Sequence, residues 1–211
     1  PGGGNDVIGR VIAQKLSDRW GQTVVVDNRA GANGIVGLQA LTQSAPDGYT
    51  LAVGAAGPLA VNPSLYARLP YDPIKDFAPI TNMVNYPLLL VTHPSVPVKN
   101  VRELVALAKA KPDQLSYASP GSGNSGHLAG ELFNSMAGVQ TVHVPYKGQG
   151  PALTDLLSGQ VSMLYSSIPS VIQQVKSGQL RALAVGSAKR LPSLPDIPTL
   201  AESGVPGYEA Y

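Results

Sequence analysis

The sequence predicts an α/β protein in which strands and helices alternate, and three observations support this class. Short runs of β-branched and aliphatic residues, such as residues 22–27 (QTVVVD) and 87–93, have the composition of buried strands. Between such runs lie stretches with apolar residues at helical spacing, for example residues 6–19 and 127–137. The 23 glycines and 19 prolines fall between these segments as turns rather than in low-complexity runs. Such alternation favours mostly parallel sheets flanked by helices.

The remaining elements follow the same periodicities. Helices are predicted over residues 35–44, 62–66, 100–111, 151–157 and 170–176. Strands are predicted over residues 49–53, 115–118, 141–144, 161–165 and 180–186. Asn100 and Glu103 have the spacing of a capping box, which indicates a helix start. Because the strand–helix pattern restarts after Pro87, we expect two sheets.

The composition excludes several classes of function. The chain has no cysteine, so thiolate metal sites, cysteine nucleophiles and disulfide bonds are excluded. The net charge of +2 and the scattered lysines and arginines do not indicate a nucleic-acid partner. His93, His127 and His143 lack the spacing of metal ligands, so neither a metal nor a cofactor is expected. No apolar run approaches the ~20 residues that a membrane-spanning helix needs.

Both ends of the sequence read as interruptions of a longer pattern. The first residues, PGGG, have the character of a loop between a strand and a helix. The last residues, YEAY, stop without a turn or a cap. We therefore expect the chain to be a fragment, with a signal peptide and a first strand upstream of it.

Four glycine-rich loops lead into predicted helices, and they are the main indication of a binding site. They span residues 2–5, 31–34, 121–126 and 148–150. The first turn of a helix has free backbone N–H groups and a partial positive charge, and glycine allows a ligand to approach the backbone closely. In open α/β sheets, ligands bind outside the carboxyl ends of the strands. Two such loops facing each other across a cleft would bind a carboxylate.

Two enzyme-like motifs coincide in the third loop. Residues 121–126 spell GxGxxG after a predicted strand, but no acidic residue follows the next strand to hold a ribose, which disfavours a dinucleotide. Residues 123–127 (GNSGH) nearly match the GxSxG elbow of a serine hydrolase, with histidine in place of the last glycine. His127 is too close in sequence to face Ser125 on a helix, and nothing places His143 beside it. A hydrolase using Ser125 stays open as the alternative to a binding protein.

Several stretches together resemble one family, the Bug-type extracytoplasmic solute receptors of tripartite tricarboxylate transporters. The resemblance covers the whole chain in order and is carried by residues 1–6 (PGGGND), 28–34 (NRAGANG), 46–51 (PDGYTL), 69–73 (LPYDP), 93–97 (HPSVP), 127–131 (HLAGE), 143–148 (HVPYKG), 151–157 (PALTDLL) and 195–199 (PDIPT). Each stretch alone is weak, whereas the ordered set is specific.

The resemblance implies a type II periplasmic-binding-protein fold. In this fold two α/β lobes, each with a central mostly parallel sheet flanked by helices, close on a carboxylate. Residues 1–87 plus 186–211 would form the first lobe, and residues 88–185 the second. The implied protein is a periplasmic, monomeric, non-enzymatic receptor that delivers its ligand to a membrane permease. A solute sensor for a membrane signalling partner needs the same cleft, so that alternative also stays open.

The resemblance also implies which residues bind the ligand, with one loop of each lobe gripping the anion and the turn after residue 145 lining the cleft. These residues are Gly2, Gly3, Gly4, Asn5, Asp6, Ser119, Gly121, Ser122, Gly123, Asn124, Ser125, His127, Tyr146, Lys147, Gly148 and Ser166. No catalytic residue and no metal ligand is expected among them.

One departure from the family pattern bears on the ligand. The family commonly has an acidic residue just after position 161 and a second near the end of the same strand, where this chain has Ser162 and Ser166-Ser167. An acid at the strand end would pair with an amino group on the ligand. A hydroxyl-lined end favours a dicarboxylate or an aromatic carboxylate over an amino acid, and the wider expected class includes tricarboxylates.

Overall fold

The computed structural model describes residues 2–211, and its central element is a five-stranded mixed sheet in the order β3-β2-β4-β1-β5. The strands are β1 (Leu88–Thr92), β2 (Ser116–Ser119), β3 (Val142–Pro145), β4 (Met163–Ser167) and β5 (Arg181–Val185). Strand β2 pairs in parallel with β3 and β4, whereas β1 is antiparallel to β4 and β5. Four of the five strands therefore run in one direction, which confirms the predicted α/β class.

Helices cover the sheet and make up much of the N-terminal part of the chain. The α-helices are α1 (Gly4–Trp20), α2 (Ile35–Thr42), α3 (Asn62–Leu65), α4 (Val101–Ala110), α5 (Ser125–Ala137), α6 (Gln149–Leu157) and α7 (Ile168–Lys176). A 3₁₀ turn over Ala32–Gly34 precedes α2, and a π-helical turn over Gly57–Val61 precedes α3. Each predicted helix is present with ends within two residues of the prediction.

Both faces of the sheet are buried because successive side chains of a strand point to opposite sides. Leu88 and Leu90 of β1 belong to the core cluster on one face, together with side chains of α4 and α5. Leu89 and Val91 belong to the cluster on the other face, together with side chains of α6 and α7. This two-sided burial explains why β1 is a continuous apolar run rather than an alternating one.

The start of α4 confirms the predicted capping box. The Asn100 Oδ1 accepts a hydrogen bond from the Glu103 N–H at 2.9 Å, and a Glu103 carboxylate oxygen accepts one from the Lys99 N–H at 2.6 Å. These bonds satisfy backbone donors that have no partner inside the helix.

Two predicted strands in the N-terminal part are wrong. Residues 22–27 and 49–53 are neither helical nor strand-paired, and within residues 2–87 the structure contains no strand at all. Val25 and Tyr49 are 81% and 92% exposed. β-Branched composition favours an extended backbone, but a strand also needs a hydrogen-bonded neighbour, and none of the described residues provides one. The second predicted sheet is therefore not formed.

The C-terminal residues pack on the sheet. The Leu200 N–H donates to Val185 O at 3.0 Å, and the Tyr208 hydroxyl donates to Ala129 O on α5 at 2.8 Å. Leu200, Val205 and Tyr208 are each 1% exposed and belong to the same core cluster as β1. These apolar side chains share the core of residues 88–185, whereas the predicted assignment of residues 186–211 to the first lobe stays a prediction.

Within the described residues, no helix has both the length and the apolar character required to cross a membrane. The longest, α1, has 17 residues and carries charged side chains along its length.

We expect the core to tolerate truncation of Leu90 poorly. Leu90 is fully buried in β1, so Leu90→Ala should lower the free energy of unfolding by about 2–5 kcal/mol, since it removes buried methyl groups and leaves a cavity. The matched control is Leu128→Ala on α5, where the side chain is 42% exposed and the loss should stay within about 0.5 kcal/mol. Urea unfolding followed by circular dichroism measures both. Equal losses in the two variants would contradict the described packing.

Candidate functional site

The four glycine-rich loops lie next to one another. An ideal Cβ added to Gly3, in the first loop, would lie 3.3 Å from Cβ of Gln149, in the fourth loop. The fourth loop meets the third, since the Gly148 N–H donates to Pro120 O at 3.1 Å. A continuous line of contacts therefore joins the first, fourth and third loops.

The third loop in turn contacts the second. An ideal Cβ on Gly121 would lie 3.7 Å from both N and Cα of Asn33, and one on Gly123 would lie 3.0 Å from the Asn33 side-chain nitrogen. Both glycines have positive φ, at 148° and 82°, a region that other residues rarely adopt. The four loops thus form one group, which we name the loop cluster.

Three helix N-termini point into the loop cluster without a side-chain cap. The N-cap residues of α1, α6 and α7 are Gly3, Gly148 and Ser167, and none of their side chains accepts a hydrogen bond from the first turn. Gly4 of α1 brings two of these ends together, because an ideal Cβ there would lie 3.3 Å from Ser167 Oγ. Free N–H groups and the positive ends of three helix dipoles favour an anion at this place.

Neutral polar side chains form the wall beside these helix ends. The buried Gln149 amide donates to Ser166 Oγ at 2.8 Å, and Ser167 Oγ lies 2.7 Å from Ser170 Oγ. The Tyr86 hydroxyl touches Gly4, and partial burial raises the pKa of that hydroxyl, which keeps it protonated. Hydroxyl and amide groups of this kind orient a polar ligand without adding charge.

Gln149 and Tyr86 were not among the residues predicted to bind the ligand, and of the serine pair at the strand end only Ser166 was. Gln149 directly follows the predicted Gly148 and lies inside the fourth glycine loop. Tyr86 gives no local signal. It lies two residues before β1, and Leu88 pairs with Ser167 across the antiparallel ladder, which places Tyr86 at the carboxyl end of β4.

Two predicted residues of the first loop are engaged within the protein. The Asp6 carboxylate accepts from the Gly2 N–H and from the Asn28 amide, both at 2.8 Å, and pairs with Arg10 at 3.0 Å. The hydrogen bond from Gly2, followed by that from Asn28, lowers the pKa of Asp6. The Asn5 amide donates to a backbone carbonyl of the N-terminal part at 3.2 Å. Asp6 therefore shapes the first loop rather than presenting a free carboxylate.

The predicted residues of the third loop have different environments. Ser119 is fully buried, Ser122 is exposed, and the Asn124 side chain caps α5 by accepting from the Gly126 N–H at 2.9 Å. Ser125 begins α5 and lines a shallow depression that Leu128 and other side chains also line. Across from this loop lie Asn33 and Asn62 of the N-terminal part, so the second glycine loop rather than the first is its observed partner.

An asparagine pair supports that contact. The Asn33 amide donates to Asn62 Oδ1 at 2.9 Å, and the Asn62 amide donates back to Asn33 O at 3.4 Å. Asn62 is fully buried, and Asn33 has a left-handed backbone with φ 48°. An ideal Cβ on Gly57 would lie 3.1 Å from Gly123 O, so the backbones of the N-terminal part and of the third loop meet here at close range.

The predicted residues at the fourth loop also differ from one another in exposure and bonding. The Tyr146 hydroxyl donates to the Asp155 carboxylate at 2.7 Å, and burial together with that bond raises the pKa of Tyr146 to about 12. Lys147 is exposed, and Gly148 is partly buried with φ 116° at the start of α6. Gly148 belongs to the loop cluster, whereas the Tyr146 hydroxyl is bonded to Asp155 on α6.

The structure does not provide the geometry of a serine hydrolase. In the described part of the chain, no hydrogen bond joins Ser125 to a histidine; His127 Nδ1 accepts from the Gly123 N–H at 3.1 Å. His143 Nε2 lies 2.6 Å from Ser119 Oγ, but that serine is fully buried and its hydroxyl donates to Gly121 O. An attacking hydroxyl must reach a substrate, and this one does not. No group of three candidate metal ligands occurs among residues 2–211.

Comparisons with known proteins agree with this arrangement. A family model described as "Tripartite tricarboxylate transporter family receptor" matches residues 8–211. The chain belongs to this receptor family. The similarity extends to the protein BugT of Bordetella pertussis, which is 43% identical over the whole of this chain.

Two solved structures have a fold similar to that of this chain. The structure titled "R. palustris Rpa4515 with adipate" has a TM-score of 0.96 and 41% identity, covering 99% of this chain and 70% of its own. The structure of MatC from Rhodopseudomonas palustris with bound malate has a TM-score of 0.91 and 32% identity, covering 99% and 71%. These matches confirm the predicted family and fold class.

This receptor-family chain is shorter than the relatives that it matches. It spans 65% of the length of BugT and 62% of the length of a relative from Pseudomonas sp. strain P51, to which it is 41% identical.

We expect the asparagine pair to stabilise the N-terminal part. Asn62→Ala should lower the free energy of unfolding by about 1–3 kcal/mol, because it removes a fully buried amide and leaves partly buried polar atoms of Asn33 without these partners. The control is Asn28→Ala, which removes an exposed amide that water replaces, and its loss should stay below about 1 kcal/mol. Urea unfolding measures both variants. A loss for Asn62→Ala no larger than that of the control would contradict the assigned pair.

Proposed function

We propose that the loop cluster is the ligand site of a periplasmic receptor that captures a small organic carboxylate and delivers it to a tripartite tricarboxylate transporter. The observation that carries the proposal is the convergence of three helix N-termini, those of α1, α6 and α7, without side-chain caps. The proposed site comprises the predicted glycine loops together with Tyr86, Gln149 and Ser167.

The chemistry of the cluster fits reversible capture of an anion. A helix N-terminus stabilises a negative charge placed at it by about 0.3–1 kcal/mol, and by up to ~2 kcal/mol in partly buried geometry. The wall of Gln149, Ser166 and Tyr86 adds neutral hydrogen-bonding groups. A site without a buried counter-ion leaves no uncompensated buried charge behind when the anion is released.

A dicarboxylate is the ligand class best supported. The Asp6 oxygens are already bonded to Gly2, Asn28 and Arg10, so they do not provide a free acid for an amino group. Ser166 and Ser167 stand where an acid would be needed to bind an amine. The ligands of the two similar structures, adipate and malate, are both small dicarboxylates.

We also propose that the cluster lies between two lobes. Residues 2–87 form one, and the sheet with the residues that share its core, 88–210, forms the other. The first and second glycine loops come from the first lobe, and the third and fourth from the second. Closure of the two lobes would bring the four loops onto the ligand. In this proposal the protein acts as a monomeric receptor that binds and releases its ligand unchanged.

Ligand binding is tested by titration calorimetry with adipate, malate, aspartate and acetate. We expect adipate or malate to bind and aspartate to bind at least about tenfold more weakly, a difference of about 1.4 kcal/mol. A bound ligand at a hundredfold excess over Kd should stabilise the protein by about 2.7 kcal/mol in thermal unfolding. Absence of binding for both dicarboxylates, or a preference for aspartate, would contradict the proposed ligand class.

The position of the site is tested by Gly4→Ala. Its new methyl group would collide with the Tyr86 hydroxyl and lie 3.3 Å from Ser167 Oγ, so we expect at least about tenfold loss of affinity for the dicarboxylate that binds. The matched control on the same helix is Gly9→Ala, whose methyl group would make an ordinary 3.5 Å contact with Val53 and should change affinity by less than about twofold. Equal affinity in both variants would place the ligand elsewhere.

A further inference from the structure

We propose that His127 and His143 are positioning residues for the site, which in their neutral forms hold residues 119–123 in the shape that the ligand meets. Protonation of His127 releases this turn, so that ligand affinity falls in acid. The inference rests on the proposed function, because it describes how one of the four loops of that site is held.

The bond made by His127 requires an unprotonated nitrogen. His127 Nδ1 lies 3.1 Å from the Gly123 N and accepts its hydrogen, so the neutral ring carries its proton on Nε2. Gly123 has φ 82°, and this bond is the side-chain contact that fixes its amide. A proton on Nδ1 would face the Gly123 N–H as a second donor, and the bond could not form.

His143 supports the other half of the turn. Its Nε2 lies 2.6 Å from Ser119 Oγ, and that hydroxyl both donates to Gly121 O and accepts from the Gly121 N–H. A hydroxyl that already donates to Gly121 O receives its bond from the His143 Nε2–H. Ser119 and His143 together therefore hold the Gly121 backbone, whose φ is 148°.

The two rings are stacked on each other, and this links their protonation. The His127 and His143 centroids are 4.0 Å apart, and the Tyr117 ring stacks on the other side of His143 at 4.9 Å. Two positive charges at the His–His distance repel strongly, so protonation of one ring disfavours protonation of the other.

The ionisable groups around His127 come from three elements. Glu131 lies on the same helix and accepts from the Tyr117 hydroxyl of β2, and His143 faces the ring from β3. Burial lowers the pKa of His127, although Glu131 acts in the opposite direction. Burial, followed by repulsion from His127, lowers the pKa of His143 to about 4. Both rings are therefore neutral at neutral pH, and protons bind only as the pH falls below the usual histidine range.

The test compares three variants with the wild type by calorimetry, with adipate as the probe. In His127→Asn the Oδ1 atom replaces the Nδ1 acceptor but does not titrate, and His127→Ala removes the acceptor. The matched control is His93→Asn, because His93 Nδ1 accepts from the Ser95 N–H at 3.2 Å in a turn remote from the loop cluster. Protonation of adipate itself affects every variant equally, so differences between variants report on the histidine.

Between about pH 7.5 and about pH 4.5 we expect the wild type and His93→Asn to lose at least about tenfold more affinity than His127→Asn. His127→Ala should bind at least about tenfold more weakly than the wild type already at about pH 7.5, and His127→Asn should restore most of that loss. A wild-type pH profile in His127→Asn, or unchanged affinity in His127→Ala, would overturn the proposal.

A ligand-free measurement separates this proposal from the proposed function. In NMR spectra of the wild type, the Gly123 amide resonance should shift with pH in parallel with the His127 ring resonances. In His127→Asn the Gly123 amide resonance should not shift in this pH range. A Gly123 amide that is insensitive to pH while His127 titrates would overturn the positioning role. Failure of adipate to bind any variant at about pH 7.5 would count against the proposed function, and the amide titration would still decide whether His127 holds the turn.

Discussion

The parallel pairing of β2 with β3 and β4 is the constraint on which the site depends. Because parallel strands end at the same edge of a sheet, the turn after β2, the turn after β3 and the start of α7 after β4 are brought side by side. The antiparallel β1 adds its amino end to the same edge through the pairing of Leu88 with Ser167, and this brings Tyr86 into place. The sheet thereby determines which residues lie side by side, and the loops determine which polar groups face the candidate site.

Much of this fold could be predicted from sequence, because its signals are local. The apolar periodicity of the helices, the capping residues Asn100 and Glu103, and the β-branched runs each depend on a few neighbouring residues. The errors occurred where formation depends on distant partners. Residues 22–27 have strand composition but no paired neighbour, and residues 199–208 belong to the sheet core through Leu200 and Tyr208, which no local pattern indicates.

The candidate site shows the same division between local and distant information. Glycine loops before helices predicted two of the three uncapped helix starts, those of α1 and α6, since positive φ and helix N-termini are encoded locally. Which loops are neighbours is not encoded locally, because the contacts of the third loop with Asn33 and Asn62 depend on residues that are distant in sequence. The hydrogen bond that His127 accepts from Gly123 was likewise not predicted, because it depends on the geometry of the folded turn.

The uncapped starts of α1, α6 and α7 have a consequence for how such a protein diverges. The N–H groups that face the cluster belong to the main chain, so almost any amino-acid replacement leaves them in place, proline excepted. Mutation can therefore change the wall, at positions such as Tyr86, Gln149 and Ser166, while the backbone groups of the proposed anion site persist. Under the proposed function, a lineage built on this arrangement exchanges one acid for another by a few side-chain changes, without an intermediate that has lost binding.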